Sequence, residues 1–261
     1  MPFAETSLRD EYAAAVERVA GRTLDALRDG GGAAALTDPD TAAPRPLLAA
    51  VRILGADLFA PQLFAGAEPD PATAALLAEA RRALPAPVPA SEDTALVIAW
   101  QDWAAGRLLA RTPYGDGAQP TSPHSSASPS APSSTPLLDS TPPSASPSPL
   151  PDRAELGWRV WAGRMAQLSV LTLPGLDSPV HDAARAGTLD LARGTVRAML
   201  RRDPATAVRL VRWLAWAHAD GRPVRLEIEP ILDRIRLVTD DTSRAGLELA
   251  IAHALSNGAP R

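Results

Sequence analysis

The sequence contains no cysteine and no lysine, few aromatic residues and only four histidines among its 261 residues. The absence of cysteine excludes disulfides, thiol catalysis and cysteine-ligated zinc or iron–sulfur sites. Because the histidines are also scattered, we predict neither a structural metal nor a cofactor. All 26 basic residues are arginine, which together with abundant Ala, Pro and Gly is typical of a GC-rich bacterial genome. The alternative is selection for guanidinium chemistry, since arginine binds phosphate and stacks on aromatic rings better than lysine.

Targeting signals are also lacking. The first dozen residues include acids and no apolar run, unlike a signal or transit peptide. No apolar run approaches the roughly 20 residues of a membrane-spanning helix. We therefore expect a cytoplasmic protein that does not bind a membrane.

Apolar residues recur at helical spacing through most of the chain, which predicts a mainly α-helical fold. In the first part, the predicted helices are Thr6–Asp29, Pro46–Phe59, Asp70–Leu84 and a helix that begins at Ser91 and ends before Pro113. In the last part, we expect helices over 152–168, 180–186 and 188–200, a helix that begins at Asp203, and a last helix over 242–256. Asp70–Pro71 and Asp203–Pro204 each pair an N-cap residue with proline at the first helical position.

Residues 112–152 differ in composition from their surroundings. Eleven of these 41 residues are Pro and most others are Ser, Thr or Ala, so little apolar surface offsets the entropy of ordering. We predict a disordered Ser/Pro-rich linker between an acidic helical domain, 1–111, and a basic helical domain, 153–261. The first has 10 Arg and 15 acidic residues, and the second has 16 Arg and 12 acidic residues.

The region near 224–238 breaks the helical pattern. Val224, Leu226 and Ile228 alternate with charged residues, which predicts a strand, and 235–238 could pair with it as a small β-hairpin. Pro230 supports the alternative, a short helix over 230–238.

All six tryptophans fall into three W-x-x-W pairs, each followed by Ala and then by Gly-Arg: WQDWAAGR at 100–107, WRVWAGR at 158–164 and WLAWAHADGR at 213–222. At spacing i, i+3 the two rings of a pair share one helix face. As core residues they would anchor helices, and the arginine would lie near a helix end or over a ring. If exposed, Trp and Arg are the residue types that dominate binding hot spots. The predicted partner-binding residues are Trp100, Trp103, Arg107, Trp158, Trp161, Arg164, Trp213 and Trp216.

Arg193, Arg197 and Arg201 follow at i, i+4 and i+8 and share one helix face. Asp190 and Asp203 could neutralise a solvated face; the alternative is a polyanion-binding surface, for which the candidates are Arg193, Arg197, Arg201, Arg202, Arg209 and Arg212. Residues 183–202 also resemble a helix-turn-helix around GTVRAML, although Gly187 to Val196 is about three residues too long for its turn.

We find no serine elbow, Walker loop, dinucleotide fingerprint or H-x-x-H motif. The remaining acid–base candidates, His181–Asp182, His218 with Asp220, and Asp240–Asp241, fit surface, core or capping roles better than catalysis. The sequence therefore favours a non-catalytic adaptor that binds a protein partner through Trp/Arg helix surfaces. The alternatives are a nucleic-acid-binding accessory protein that uses the basic segment, and an enzyme of unfamiliar type.

Overall fold

The computed structural model describes residues 2–32, 36, 43–115, 146–151 and 153–258, and the regular elements in these ranges are helices. The N-terminal segment contains α1 (Pro2–Arg28), α2 (Arg45–Leu54), α3 (Ala60–Phe64), α4 (Pro71–Ala83) and α5 (Glu92–Leu109), with a 3₁₀ turn, Gly55–Phe59, between α2 and α3. The C-terminal segment contains α6 (Arg153–Leu156), α7 (Trp158–Gln167), α8 (Pro179–Ala186), α9 (Thr188–Leu200), α10 (Pro204–Ala219), α11 (Ile228–Arg236) and α12 (Ser243–Ser256), with a second 3₁₀ turn, Ser169–Thr172, after α7. The predicted mainly helical fold is confirmed.

Side-chain caps explain where several helices begin. Asp70 accepts a hydrogen bond from the Thr73 amide at 2.8 Å, and Asp203 accepts one from the Thr206 amide at 3.0 Å. Ser91 caps α5 in the same way. These bonds satisfy amides that have no partner inside their helix. The helix starts predicted at these three residues are confirmed.

The β-hairpin predicted near 224–238 is wrong. Residues 228–236 form α11, close to the alternative of a short helix, and the described residues contain no strand. Pro230 lies in the first turn, where its missing N–H removes no helical hydrogen bond. Leu232 and Ile235 follow Ile228 at helical spacing, and all three are buried. A helix therefore buries more apolar surface in this region than the predicted strand would.

Helix α10 lies at the centre of the C-terminal segment and contacts α7, α9, α11 and α12. Leu210, Val211, Trp213 and Leu214 are at most 1% exposed. The Trp213 indole N–H donates to the Met165 carbonyl at 2.7 Å, so its one polar group is satisfied inside the core.

The two segments pack against each other in one cluster of buried residues. Helix α1 lies along α12, and Glu17 accepts hydrogen bonds from the amides of Ser243 and Arg244 at 2.6 and 3.3 Å. A carboxylate at this helix N-terminus is favoured by the unpaired amides and the helix dipole. The division into two domains stays a prediction, but the segments themselves are in contact.

Only the ends of the predicted linker are described. Residues 112–115 form a turn after α5, and the Ser148 carbonyl accepts a hydrogen bond from the Trp100 indole at 3.2 Å. Residues 116–145 and Asp152 lie outside the described residues, so the disorder predicted for 112–152 stays a prediction.

An ion network around a fully buried arginine joins the segments. Arg212 on α10 is 0% exposed, and its two terminal nitrogens lie 2.7 and 3.0 Å from the carboxylate oxygens of Asp57 in the first 3₁₀ turn. Glu248 on α12 lies 2.7 Å from the same guanidinium and 3.1 Å from Arg209 Nε. The Arg212 Nε–H donates to the Thr172 hydroxyl at 3.3 Å. Each donor nitrogen of Arg212 therefore has a protein partner.

Electrostatics holds this network in its charged state. Burial by itself lowers the pKa of Arg212, but the charges of Asp57 and Glu248 outweigh burial and raise that pKa above its usual value. Burial likewise raises the pKa of Glu248, and the adjacent Arg212 and Arg209 reverse the effect and lower it. Glu248 is therefore ionised beside the buried cation at neutral pH.

One described stretch, Arg45–Phe64, is long and apolar enough to cross a membrane by length and composition. It comprises α2, the first 3₁₀ turn and α3, and 67% of its apolar window is buried inside the fold. A buried core helix of a soluble protein also has this length and composition, so the stretch is only weak evidence for a membrane span.

We predict that Arg212→Met destabilises the protein by about 3–5 kcal/mol, because the substitution removes the cation that pairs with Asp57 and leaves Glu248 with Arg209 alone. The measurement is urea unfolding followed by circular dichroism at pH 7.5. Arg236→Leu on α11 is the matched control, since Arg236 is exposed, and it should change the free energy of unfolding by less than about 0.5 kcal/mol. Equal, small effects of the two substitutions would contradict a structural role for the network.

Candidate functional site

Helix α9 presents an apolar stripe to solvent. Leu189, Val196 and Leu200 are 42%, 42% and 80% exposed and lie at i, i+7 and i+11 on one face. Half-buried Trp158 at the start of α7 and half-buried Leu226, which precedes α11, border the same stripe. Together they line a cleft of about 610 Å³, which we call the α9 cleft.

Four arginines surround the apolar part of the α9 cleft. Arg193, Arg197 and Arg201 lie on α9, and Arg225, which precedes α11, lines the same cleft. The predicted arginine face is therefore present, and the fold adds a fourth guanidinium that is distant in the sequence. The lining of this cleft therefore combines apolar side chains with four arginines, which we call the arginine rim.

Close packing fixes the position of α9. Gly187 precedes the helix, and a Cβ atom at this position would overlap the buried ring of Trp161. A Cβ atom at Gly194 would lie 2.8 Å from Ala162 Cβ on α7 and 2.9 Å from Leu210 on α10. Glycine at these two positions therefore lets α9 lie directly against both neighbouring helices.

The arginines of the cleft differ in their ion pairs. Arg193 pairs with Asp190 at 3.1 Å, and Arg153 shares the same carboxylate at 3.2 Å. In the described ranges, no carboxylate lies within 4.0 Å of the guanidinium groups of Arg197, Arg201 or Arg225. The proposed neutralisation of the whole face by acids thus holds for Arg193 only.

Positive charge accumulates around Arg197. Its pKa is lowered, first by desolvation and then by the like charges of Arg201 and Arg159. The guanidinium still stays protonated at neutral pH, because arginine side chains are not deprotonated in proteins. Arg159 in turn lies over the Trp158 ring, with the guanidinium carbon 5.4 Å from the ring centroid. A negatively charged ligand would relieve this repulsion.

The other candidates for polyanion binding lie elsewhere. Arg202 is exposed just after α9, with a φ of 58°. Arg209 pairs with Glu248. Arg212 is fully buried and pairs with Asp57 and Glu248. Arg209 and Arg212 point into the buried network and do not join the face formed by α9.

Four tryptophans are core residues. Trp100, Trp161 and Trp213 are at most 1% exposed and Trp103 is 8% exposed, whereas Trp158 and Trp216 are half-buried. The i, i+3 pairs on α5 and α10 pack edge to face, with ring centroids 5.4 and 5.7 Å apart. Of the six tryptophans, Trp158 lines the α9 cleft.

The arginines of the tryptophan motifs have structural contacts. Arg107 lies over the Trp103 ring at 5.9 Å from the centroid, a cation–π arrangement on α5. Arg164 is 7% exposed and pairs with Asp93 of the N-terminal segment. This second arginine therefore helps to join the segments.

The helix-turn-helix resemblance is not realised. Its turn would fall between Gly187 and Val196, but 188–200 form one continuous helix. The apolar stripe was missed because Val196 and Leu200 fit the helical spacing of core residues. Helical spacing does contain a signal for this stripe. Leu189, Val196 and Leu200 lie on the same face of α9 as the arginines, opposite the face that buries Leu191 and Ala198.

The acid–base candidates do not form a catalytic cluster. His218, Asp240 and Asp241 are exposed, and Asp182 pairs with Arg185 at 2.8 Å. Within the part of the chain that the structure describes, no three His, Asp or Glu side chains are placed to hold a metal ion.

His181 is fully buried and satisfied. Its Nε2 lies 2.9 Å from the Leu171 carbonyl, which can only accept, so Nε2 is protonated. In the neutral ring Nδ1 accepts from the Ser178 hydroxyl at 2.9 Å. Burial is the main cause of a lowered His181 pKa; the Leu171 bond and the charge of Asp177 oppose it, and Arg185 adds to it.

No family model, curated protein or solved structure matches this chain.

We predict that Gly187→Ala destabilises the protein by about 1–3 kcal/mol, because the added methyl group must displace the buried Trp161 ring. Near-ultraviolet circular dichroism and urea unfolding provide the measurement. Gly163→Ala is the matched control: Gly163 lies in α7 with no atom within 4 Å of an added Cβ, and alanine there should stabilise by up to about 1 kcal/mol. Equal effects at the two glycines would contradict the packing argument.

We also predict that stability falls as the pH decreases from 7.5 to 5.5. Below about pH 6.5, His181 binds a proton in the unfolded chain but not in the folded protein, where burial lowers its pKa. The stability that His181 contributes is therefore fully present above this pH, and it is lost as the pH falls toward the folded-state pKa. The slope for this one group is at most about 1.4 kcal/mol per pH unit. Urea unfolding at both pH values should show a reduced slope for His181→Gln and an unchanged slope for His218→Gln. A wild-type slope in His181→Gln would contradict the assignment.

Proposed function

We propose that this chain is a non-catalytic, cytoplasmic interaction protein whose α9 cleft binds an acidic amphipathic segment of a protein partner. The observation that supports this most directly is the joint presence of exposed Leu200 and the arginines 197, 201 and 225, which have no carboxylate partner in the described ranges. An apolar stripe bordered by unpaired cations complements a ligand with apolar side chains and flanking acids.

Helix-in-groove recognition fits the residue types of this site. An amphipathic helix would place apolar side chains at i, i+3/i+4 and i+7 against the apolar stripe. Its Asp or Glu side chains would then meet the arginine rim, where charge-assisted hydrogen bonds are stronger than neutral ones. Trp158 and arginine are residue types enriched in binding hot spots.

The proposal also retains the predicted arrangement of the chain as an acidic helical domain, a Ser/Pro-rich linker and a basic helical domain. Its support is the composition of 112–152, where 11 of 41 residues are Pro.

Nucleic-acid binding is the second candidate function. The exposed arginines at 201, 202 and 225 favour it, and Trp158 could stack on an unpaired base. The apolar stripe argues against it, because a phosphate backbone gives Leu200 nothing to pack against. Protein binding therefore explains more of the cleft.

We expect the full-length protein to select acidic amphipathic helices from a displayed library of helical peptides. The selected peptides should contain Leu or Phe at helical spacing with Asp or Glu beside them. Leu200→Asp should weaken their binding at least about tenfold, because it places a like charge against the acidic peptide and removes a central apolar contact. The matched control is Leu237→Asp, since Leu237 is 77% exposed outside the cleft and should leave binding unchanged.

Two outcomes would overturn the proposal. One is selection that is indifferent to Leu200→Asp. The other is oligonucleotide binding, measured by fluorescence anisotropy, that weakens steeply with salt, is lost in Arg197→Gln/Arg201→Gln and survives Leu200→Asp. The second result would favour the nucleic-acid function.

A further inference from the structure

A second cavity, separate from the α9 cleft, lies where the two segments meet. Its volume is about 690 Å³, within the range of small-molecule sites, and junctions between structural units are common places for such sites. Walls come from α2, α4 and α5 on one side and from α10, α12 and the second 3₁₀ turn on the other. We call it the inter-segment cavity.

Most of the wall of the inter-segment cavity is apolar. Leu54, Leu77 and Val97 are buried and form its inner wall. Ile53, which is 53% exposed, and Pro87, which is also exposed, lie at its mouth. The cavity is therefore accessible from solvent, and its interior suits an apolar ligand body.

The polar end of the cavity is positively charged. Asp57, Glu248 and Arg209 line it as part of the ion network, in which Arg212 and Arg209 neutralise the two carboxylates. Arg244 on α12 also lines it, and its guanidinium has no carboxylate within 4.0 Å in the described ranges.

A further arginine adds to this charge. Arg52 donates to the carbonyls of Arg81 and Leu84 at 3.4 and 3.2 Å and has no carboxylate partner in those ranges. Arg81 pairs with Asp102 at 3.6 Å, so these two side chains neutralise each other. With buried Arg212 counted behind the wall, the arginines exceed the three acids of the lining by two, and the two that have no carboxylate partner in the described ranges are Arg52 and Arg244.

We propose that the inter-segment cavity binds a small organic anion with an apolar body, such as an aliphatic carboxylate. The apolar body would occupy the inner wall and the anionic group would bind the guanidinium of Arg244. Charge-assisted hydrogen bonds to a guanidinium make this end of the site selective for anions over neutral molecules. Because the walls come from both segments, the ligand would stabilise their contact by mass action.

Isothermal titration calorimetry of the full-length protein with octanoate and 1-octanol tests the site. Octanoate should bind about tenfold or more tightly than the alcohol, since a hydrogen bond to a charged group favours the carboxylate by that amount. Arg244→Gln should remove this preference and leave the affinity for octanol unchanged. Equal affinities for octanoate and 1-octanol would overturn the proposal.

Two further variants locate the binding. Ile98→Trp, which fills the cavity from α5, should abolish binding of both probes, while thermal unfolding monitors its fold. Leu237→Trp adds the same ring at an exposed position and should bind like wild type. Binding that survives Ile98→Trp but is lost in Leu200→Asp would place the ligand in the α9 cleft and overturn the inference, while leaving peptide binding by that cleft untouched.

Discussion

The structure depends on the burial of one guanidinium, that of Arg212. A buried charge is tolerated only when it is paired and its donors are bonded, and Asp57, Glu248 and Thr172 meet this requirement. Asp57 belongs to the N-terminal segment and the other partners to the C-terminal segment. Burial of Arg212 therefore requires the two segments to meet at this point, with the first 3₁₀ turn held against α10 and α12.

The surfaces that we connect with function follow from this placement. Arg212 lies on α10, and α10 supports α9 through the close contact of Leu210 with Gly194. The α9 cleft is thus presented on a helix whose support is fixed by the ion network. The same network lines the polar end of the inter-segment cavity through Asp57 and Glu248. A change at Arg212 should consequently disturb both surfaces, whereas a change at Leu200 affects only the first.

Local features were the ones that could be predicted. Capping by Asp70, Ser91 and Asp203 involves an amide three residues away, so the sequence pattern contains the whole interaction. The arginine face of α9 likewise follows from spacing alone. The hairpin near 224–238 was mispredicted because apolar and charged residues alternate there over only a few positions. A helix buries Leu232 and Ile235 in the core, and this burial outweighs the local strand pattern.

The sequence by itself determined the helical class, several helix starts and the common face of Arg193, Arg197 and Arg201, since these depend on residues within one or two turns. Only the tertiary structure decided which arginines are free. Arg212 follows Arg209 on α10 by one turn, yet its partner Asp57 is 155 residues away, and no local pattern records that contact. Burial and charge pairing are properties of neighbours in space, so the fold separated the arginines that hold the core from those that line the α9 cleft.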